Sequence, residues 1–181
     1  MPTGSKKPTS AGLSEILEGL LKARVDFILV GGLAAVIQGA PFTTMDVDIV
    51  HSQSSENIAK LIAFLKSVEA VHRRFDDKLI EPKESDLSGK GHVLLITRSG
   101  PLDVLAVIEE GKSYEDLLEH TVDIHFRGHT LQVLDLKTII ELKKSSKDAI
   151  DKHRLPVLRE TLRQLEENDD RREDNEDMEK E

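Results

Sequence analysis

Residues 27–50 read FILVGGLAAVIQGAPFTTMDVDIV, and the reading of this stretch decides the fold. Phe27 to Val30 is an apolar run of strand length that ends in Gly31-Gly32. Small residues from Gly32 to Gln38 predict a short helix, stopped by Gly39. A loop with Pro41, Thr43 and Thr44 follows, and Met45 to Val50 predicts a strand carrying Asp46 and Asp48. Side chains alternate along a strand, so the two acids point the same way, roughly 6–7 Å apart. Two carboxylates held so repel each other unless a cation lies between them. A divalent metal suits the pair, because Mg²⁺ takes oxygen ligands from one or two carboxylates plus substrate phosphates. Mn²⁺ can stand in for it. The Gly31-Gly32 pair supplies a turn at which a phosphate can approach the backbone. Metal-binding carboxylates beside a phosphate cradle imply phosphoryl or nucleotidyl transfer.

Composition bounds the rest. A chain of 181 residues is one compact domain with little room for a second. Cysteine is absent, which excludes a disulfide framework and thiolate metal sites. The N-terminal MPTGSKKPTSAG lacks an apolar signal region, and no run approaches membrane-spanning length, so a soluble, cytoplasmic protein is expected. The net charge of −9 is unevenly spread. Glu166 to Glu181 holds ten acidic and three basic residues, leaving the other 165 residues near −2. That segment has a single apolar residue and predicts a disordered tail or a frayed helix end. The expected organisation is a flexible arm over 1–11, one domain over 12–165 and an acidic tail over 166–181.

Helix and strand alternate along the domain, which predicts an α/β (α+β) fold. Leu13, Ile16, Leu17, Leu20 and Leu21 repeat at helical spacing. Ser54-Ser55 caps a helix whose Ile58, Leu61, Ile62 and Leu65 face the core. Residues 72–91 read as a long irregular connection, to which no chemistry is assigned. His92 to Thr97 and Leu102 to Ile108 predict paired strands around a Ser99-Gly100-Pro101 turn. Asp103 lies inside the second, where an acid is costly to bury unless something pairs with it. A strand-end or capping role is the plain alternative. Thr121 to Phe126 and Leu131 to Leu134 predict a hairpin around Arg127-Gly128-His129. Asp135 caps the helix Leu136 to Lys144, and Lys143 falls on its buried face with Ile139 and Ile140. An inward lysine either snorkels past the core or reaches an anion. A last helix is expected over Leu155 to Leu165.

On these residues the chain resembles the nucleotidyltransferase superfamily. Its pattern is Gly-Gly, about ten residues, Asp-x-Asp, and a third carboxylate on a later strand; Gly31, Gly32, Asp46, Asp48 and Asp103 match. Ala34, Gly39 and Thr44 extend the match to the minimal nucleotidyltransferases related to the AbiEii toxin. Phe42 stands where that pattern usually has arginine. Lys143 and Asp151 match a lysine and acid of the family's later helix. The arginine often found between them is absent, with Asp148 near its place. The resemblance implies a mixed sheet flanked by helices, with a C-terminal helical segment. It implies catalytic and metal-binding roles for Asp46, Asp48 and Asp103, and nucleotide-binding roles for Gly31, Gly32, Thr44 and Lys143, with ATP or another NTP as donor. It further implies a hydroxyl acceptor on tRNA or protein, and a toxin neutralised by an antitoxin partner. For Lys143 a salt bridge to Asp151 is the structural alternative.

Other readings compete. Asp46-Val47-Asp48-Ile49-Val50 also fits the nucleophile motif of haloacid-dehalogenase-like phosphatases. That motif needs an apolar strand running into the first acid, whereas Thr43-Thr44-Met45 precede this pair and the strand continues past it. A non-catalytic protein that senses nucleotide or binds a partner on the same fold is the other class; Phe42 in place of arginine favours it and the three acids oppose it. Only His125 and His129 stand four apart, straddling Gly128, so no zinc-site spacing exists.

Overall fold

The computed structural model describes residues 10–178, with side chains described over 12–173. Most of the expected N-terminal arm and the last three residues of the acidic tail lie outside the described residues. The elements in order are α1 (Ser10–Lys22), β1 (Phe27–Val30), α2 (Gly31–Ile37), β2 (Val47–His51), α3 (Ser55–Ser67), β3 (Val71–His72) and α4 (Glu84–Leu87). Then come β4 (His92–Thr97), β5 (Gly100–Leu105), α5 (Tyr114–Leu117), β6 (Thr121–Phe126), β7 (His129–Leu134), α6 (Leu136–Lys144) and α7 (Ala149–Met178). Seven strands form one sheet in the order β3-β4-β5-β2-β1-β7-β6. β2 runs parallel to β5 and β1 parallel to β7, while the remaining neighbours are antiparallel. This is the mixed, helix-flanked sheet that the resemblance implies, within the α/β class that the alternating pattern predicts.

Alternation decides which sheet face is buried. In β4, Val93, Leu95 and Thr97 are buried while His92, Leu94 and Ile96 are exposed. The register aligns Leu95 with Leu102 and Val93 with Val104, then Leu102 with Val47 and Val104 with Ile49. These apolar residues form one continuous face, covered by α1 and α3. The two helices approach closely at Gly19, where a Cβ would meet Phe64 at 2.6 Å. Ile49 is wholly buried, so its truncation to alanine costs about 2–5 kcal/mol. The opposite face carries Asp48, Asp103 and Leu94 in one cross-strand row.

Local chemistry sets the element ends. Ser54 caps α3 by accepting from the Asn57 amide at 3.2 Å, and Asp135 caps α6 by accepting from Thr138 at 2.7 Å. Arg127 and Gly128 both have positive φ, giving the two-residue hairpin turn between β6 and β7. Because that turn takes only two residues, β7 starts at His129 and not at Leu131.

Four further bounds differ from the sequence expectation. β2 begins at Val47, so Asp46 belongs to the preceding loop. α2 begins and ends one residue earlier than expected. β5 spans Gly100–Leu105 in place of Leu102 to Ile108, because the hairpin turns at Arg98-Ser99 and Thr97 pairs with Gly100. Pro101 is accommodated there because β5 first pairs with β2 at Leu102, so its missing N–H interrupts no ladder on that side. α7 starts at Ala149 and not Leu155; Asp148 accepts from the Ile150 amide at 2.8 Å, and Pro156 lies inside the helix. α7 then continues through the acidic segment to Met178, with the side chains of 166–173 exposed. Among the described residues no helix is long and apolar enough to cross a membrane.

Candidate active site

Sheet register brings the acids together. Asp48 is the second residue of β2 and stands directly opposite Asp103 of β5. In parallel strands such partners share a face, so the two carboxylates project side by side. Asp46, although outside the strand, joins them: one oxygen from each of Asp46, Asp48 and Asp103 lies within 4.8 Å of the others. Among the described residues this is the one cluster of three or more potential ligands. Three converging carboxylate oxygens are a donor set that suits a hard divalent cation such as Mg²⁺. The electrostatics agree. Burial, then the charges of Asp46 and Asp103, push the Asp48 carboxyl up to about 7, against the opposing pull of Lys143. Burial also raises Asp103, although Arg73 works in the other direction.

The Gly31-Gly32 turn packs against the first of these groups. Gly31 has φ +71, and a Cβ there would lie 2.3 Å from Asp48 Oδ2. Any side chain at 31 would therefore need a left-handed backbone and would displace the acid. At Gly32 a Cβ would meet Thr44 Oγ1 at 3.1 Å and an Arg154 nitrogen at 3.6 Å. Thr44 Oγ1 donates to Asp46 Oδ1 at 3.3 Å, which ties the loop before β2 to the acid cluster.

A cleft of about 450 Å³ opens beside this turn. Gly31, Asp48, Glu109 and Lys143 give it polar groups, while Leu105, Ile108, Leu134 and Ile139 wall it with hydrocarbon. Lys143 reaches it from α6, and its Nζ donates to Asp151 Oδ1 at 2.8 Å. Ser146 Oγ donates to the other Asp151 oxygen at 2.7 Å. Burial works to raise Asp151, but the bonds from Lys143 and Ser146 outweigh it and hold the carboxyl below its ordinary value. The lysine–aspartate pair anticipated as the structural alternative is thus present, with side chains 19% and 16% exposed. Gln38 fixes where the hairpin sits. Its Nε2 donates to the Ala34 and Leu134 carbonyls, each at 2.9 Å, and its Oε1 accepts from the Leu136 amide at 3.1 Å. One side chain therefore joins α2, the end of β7 and the start of α6.

The structure adds residues that sequence reasoning passed over. Arg73 follows β3 in the segment assigned no chemistry, yet it donates to Asp103 Oδ1 at 2.5 Å and to the Leu95 carbonyl at 3.2 Å. The short β3–β4 pairing, Val71 with Ile96 and His72 with Leu95, brings it there. A two-residue strand in a charged stretch leaves no periodicity to detect. Arg154, on α7, stacks on Phe42 with 4.5 Å between guanidinium carbon and ring centroid. His92 lines the cleft, and its Nε2 lies 3.1 Å from the Val107 carbonyl.

No protein-family model matches the chain, and no curated protein matches it in sequence. Solved structures do match in fold. One is the lincomycin-bound lincosamide antibiotic adenylyltransferase LnuA, with a TM-score of 0.57 at 13% identity, over 85% of this chain and 98% of that one. Another is ANT(2″)-Ia in complex with adenylyl-2″-tobramycin, with a TM-score of 0.54 at 12% identity, over 85% and 90% of the two chains. A solution structure of the same antibiotic-resistance factor gives 0.50 at 12% identity, over 93% and 94%. At such identities the likeness is one of architecture. The chain is built on the nucleotidyltransferase fold.

Proposed function

We propose that the protein is a divalent-metal-dependent nucleotidyltransferase, moving a nucleoside monophosphate from an NTP to a hydroxyl. The observation that carries this reading is the convergence of Asp46 and Asp103 on Asp48, which lines a cleft that also holds Gly31 and Lys143. The three carboxylates would hold up to two Mg²⁺ or Mn²⁺ ions. Bound there, the metal would supply charge neutralisation for the triphosphate and the leaving pyrophosphate. The backbone amides of Gly31 and Gly32 would grip the β- and γ-phosphates, next to the Thr44 hydroxyl. Lys143 lies within reach of the same phosphates if it exchanges Asp151 for them. The Asp103 oxygen not engaged by Arg73 takes the proton of the acceptor hydroxyl. The acceptor oxygen then bonds the α-phosphorus in line as the bond to the β-phosphate bridging oxygen breaks, and pyrophosphate leaves.

The acceptor that the family resemblance implies is a hydroxyl on tRNA or protein, within a toxin restrained by an antitoxin. The fold neighbours crystallised with lincomycin and with adenylylated tobramycin make a small hydroxylated molecule the rival acceptor. Each α-labelled NTP, incubated with protein, Mg²⁺ and cell extract, decides between them. Label on RNA or a protein band supports the first, and label confined to small molecules supports the second. Nucleotide binding without transfer of label returns the protein to the non-catalytic sensing class. Growth arrest on expression, lost in Asp48→Asn, tests the toxin role. The phosphatase reading gains nothing: its acid pair would close a strand, whereas Asp48 is the second residue of β2.

A further inference from the structure

The sequence lacks the arginine that the family resemblance places at position 42, and α7 brings another arginine to that position in space. Arg154 lies across the Phe42 ring at 4.5 Å. One of its guanidinium nitrogens comes within 3.6 Å of the point where Gly32 would carry a Cβ, and Thr44 Oγ1 lies 3.1 Å from that same point. The Gly32 backbone, the Thr44 hydroxyl and the Arg154 guanidinium thus meet at one tightly packed point.

The other charges nearby are already matched. Asp103 is engaged by Arg73, and Asp151 by Lys143 and Ser146. Among the described residues, Arg154 has no hydrogen-bond or close ion-pair partner; its guanidinium stacks on the Phe42 ring and acts on Asp151 only through its charge. A half-buried arginine with its donors unspent, beside a cluster of three acids it does not engage, is held away from them by its platform. That platform is firm. Phe42 packs against the hydrophobic core, Leu158 of α7 is buried, and Thr161 of α7 lies 3.7 Å from where Gly39 would carry a Cβ. A stacked guanidinium keeps its edge free, and that edge matches phosphate oxygens in a two-point fork.

We propose that Arg154 is a phosphate-binding residue for the nucleotide, held on Phe42 and directed at the β/γ-phosphates where they pass Gly32 and Thr44. The inference rests on the nucleotidyltransferase reading and names the group that recognises the triphosphate end of the donor. Asp151 and Arg154 are three residues apart on α7 and so share a helix face. Lys143, ion-paired to Asp151, and Arg154 would then grip the triphosphate from one helical hairpin, opposite the acids.

The test is titration of the full chain with Mg²⁺-ATP and with AMP, for wild type, Arg154→Gln, Arg154→Lys and Phe42→Leu. Arg154→Gln is expected to weaken ATP binding about tenfold or more, the loss of one charge-assisted contact, and to leave AMP binding unchanged. Arg154→Lys should recover part of the loss. Phe42→Leu, which keeps the arginine and removes its platform, should give a smaller loss confined to ATP. Melting temperatures of the variants establish that they fold. Equal ATP affinity in wild type and Arg154→Gln overturns the inference and leaves the functional reading standing. Equal losses for ATP and AMP also overturn it, since Arg154 would then not act at the β/γ end. Failure of wild type to bind any nucleoside triphosphate overturns the functional reading, and the inference with it.

Discussion

The acidic and the cationic wall of the site are built on different principles. The acidic wall stands largely on strands: Asp48 pairs with Asp103 across the β2–β5 ladder and opposite Val30 across β2–β1. A one-residue slip in register would turn each side chain to the other face, so the backbone ladder sets where those two acids stand, and Arg73 adds a side-chain bond to Asp103. The cationic wall rides on the α6–α7 hairpin and is placed by side chains. Gln38 ties α6 to α2, Asp151, itself bonded by Ser146, holds Lys143, and Phe42 carries Arg154. Mutual repulsion strains the first wall, while ion pairing and stacking satisfy the second. Substitution in the acidic wall should therefore destroy function and spare the fold, and substitution in the cationic wall should give graded losses.

The largest effect is expected from Asp48→Asn. Transfer should fall by at least about a hundredfold, because a ligand for transition-state charge stabilisation is removed. Stability should hold or rise, because a buried charge beside two others disappears. Full activity with labelled NTP in this variant would end the proposed mechanism. The stability half has a pH signature. Asp48 is raised to about 7 in the fold, so the folded state holds its proton where the unfolded chain has released it. Stability from this group is complete below the unfolded value near 4, declines as pH rises from there to about 7, and is flat above. In EDTA, the advantage of Asp48→Asn over wild type in denaturant melts should grow between pH 4 and 7; a constant difference would contradict the shift.

Gly31→Ala strikes where the walls' shared floor meets the acids. Positive φ alone costs about 1–2 kcal/mol, and the added methyl overlaps Asp48 Oδ2. Lower melting temperature together with lost transfer is expected, and an unperturbed variant would mean the turn is looser than drawn.

Lys143→Met is the graded case. Loss of a phosphate contact weakens nucleotide binding about tenfold, whereas loss of the Asp151 pair alone costs about 1 kcal/mol of stability and no affinity. Methionine keeps the apolar stem, so titration with Mg²⁺ separates the two. The smallest effect is expected from deleting 169–181, whose described side chains are exposed. Melting and activity should be nearly unchanged, and a clear drop in melting temperature would show that α7 depends on its acidic end.

The same contrast governs what the sequence discloses. Asp46, Asp48, Asp103 and the Gly31-Gly32 turn were legible because apolar runs mark strands and acids stand out within them. The sheet then aligned Asp48 with Asp103, a pairing that depends on two strands docking but not on side-chain detail. Arg73 and Arg154 were not legible. Arg73 follows a two-residue strand, and Arg154 lies on the polar first turns of α7, where Pro156 masks continuity of the helix. Each reaches the site through a flexible side chain, and periodicity carries no information about such reach. Phe42 in place of the expected arginine was visible in the sequence, but the stacking of Arg154 on it required the helix to be seen against the turn.

Asp48 and Asp103 lie fifty-five residues apart along the chain, whereas Asp48 and its other partner, Val30, are only eighteen apart. The β1–β2 hairpin can close early, since short separations lose little chain entropy, but the parallel β2–β5 ladder must wait for the segment between them. A nascent chain still short of β5 therefore has at most two of the three acids. On the proposed metal reading, tight ion capture belongs to the end of folding and cannot guide its beginning. In refolding experiments, Mn²⁺ uptake should lag behind collapse and coincide with the docking of β5, making the ion a clock for completion of the sheet.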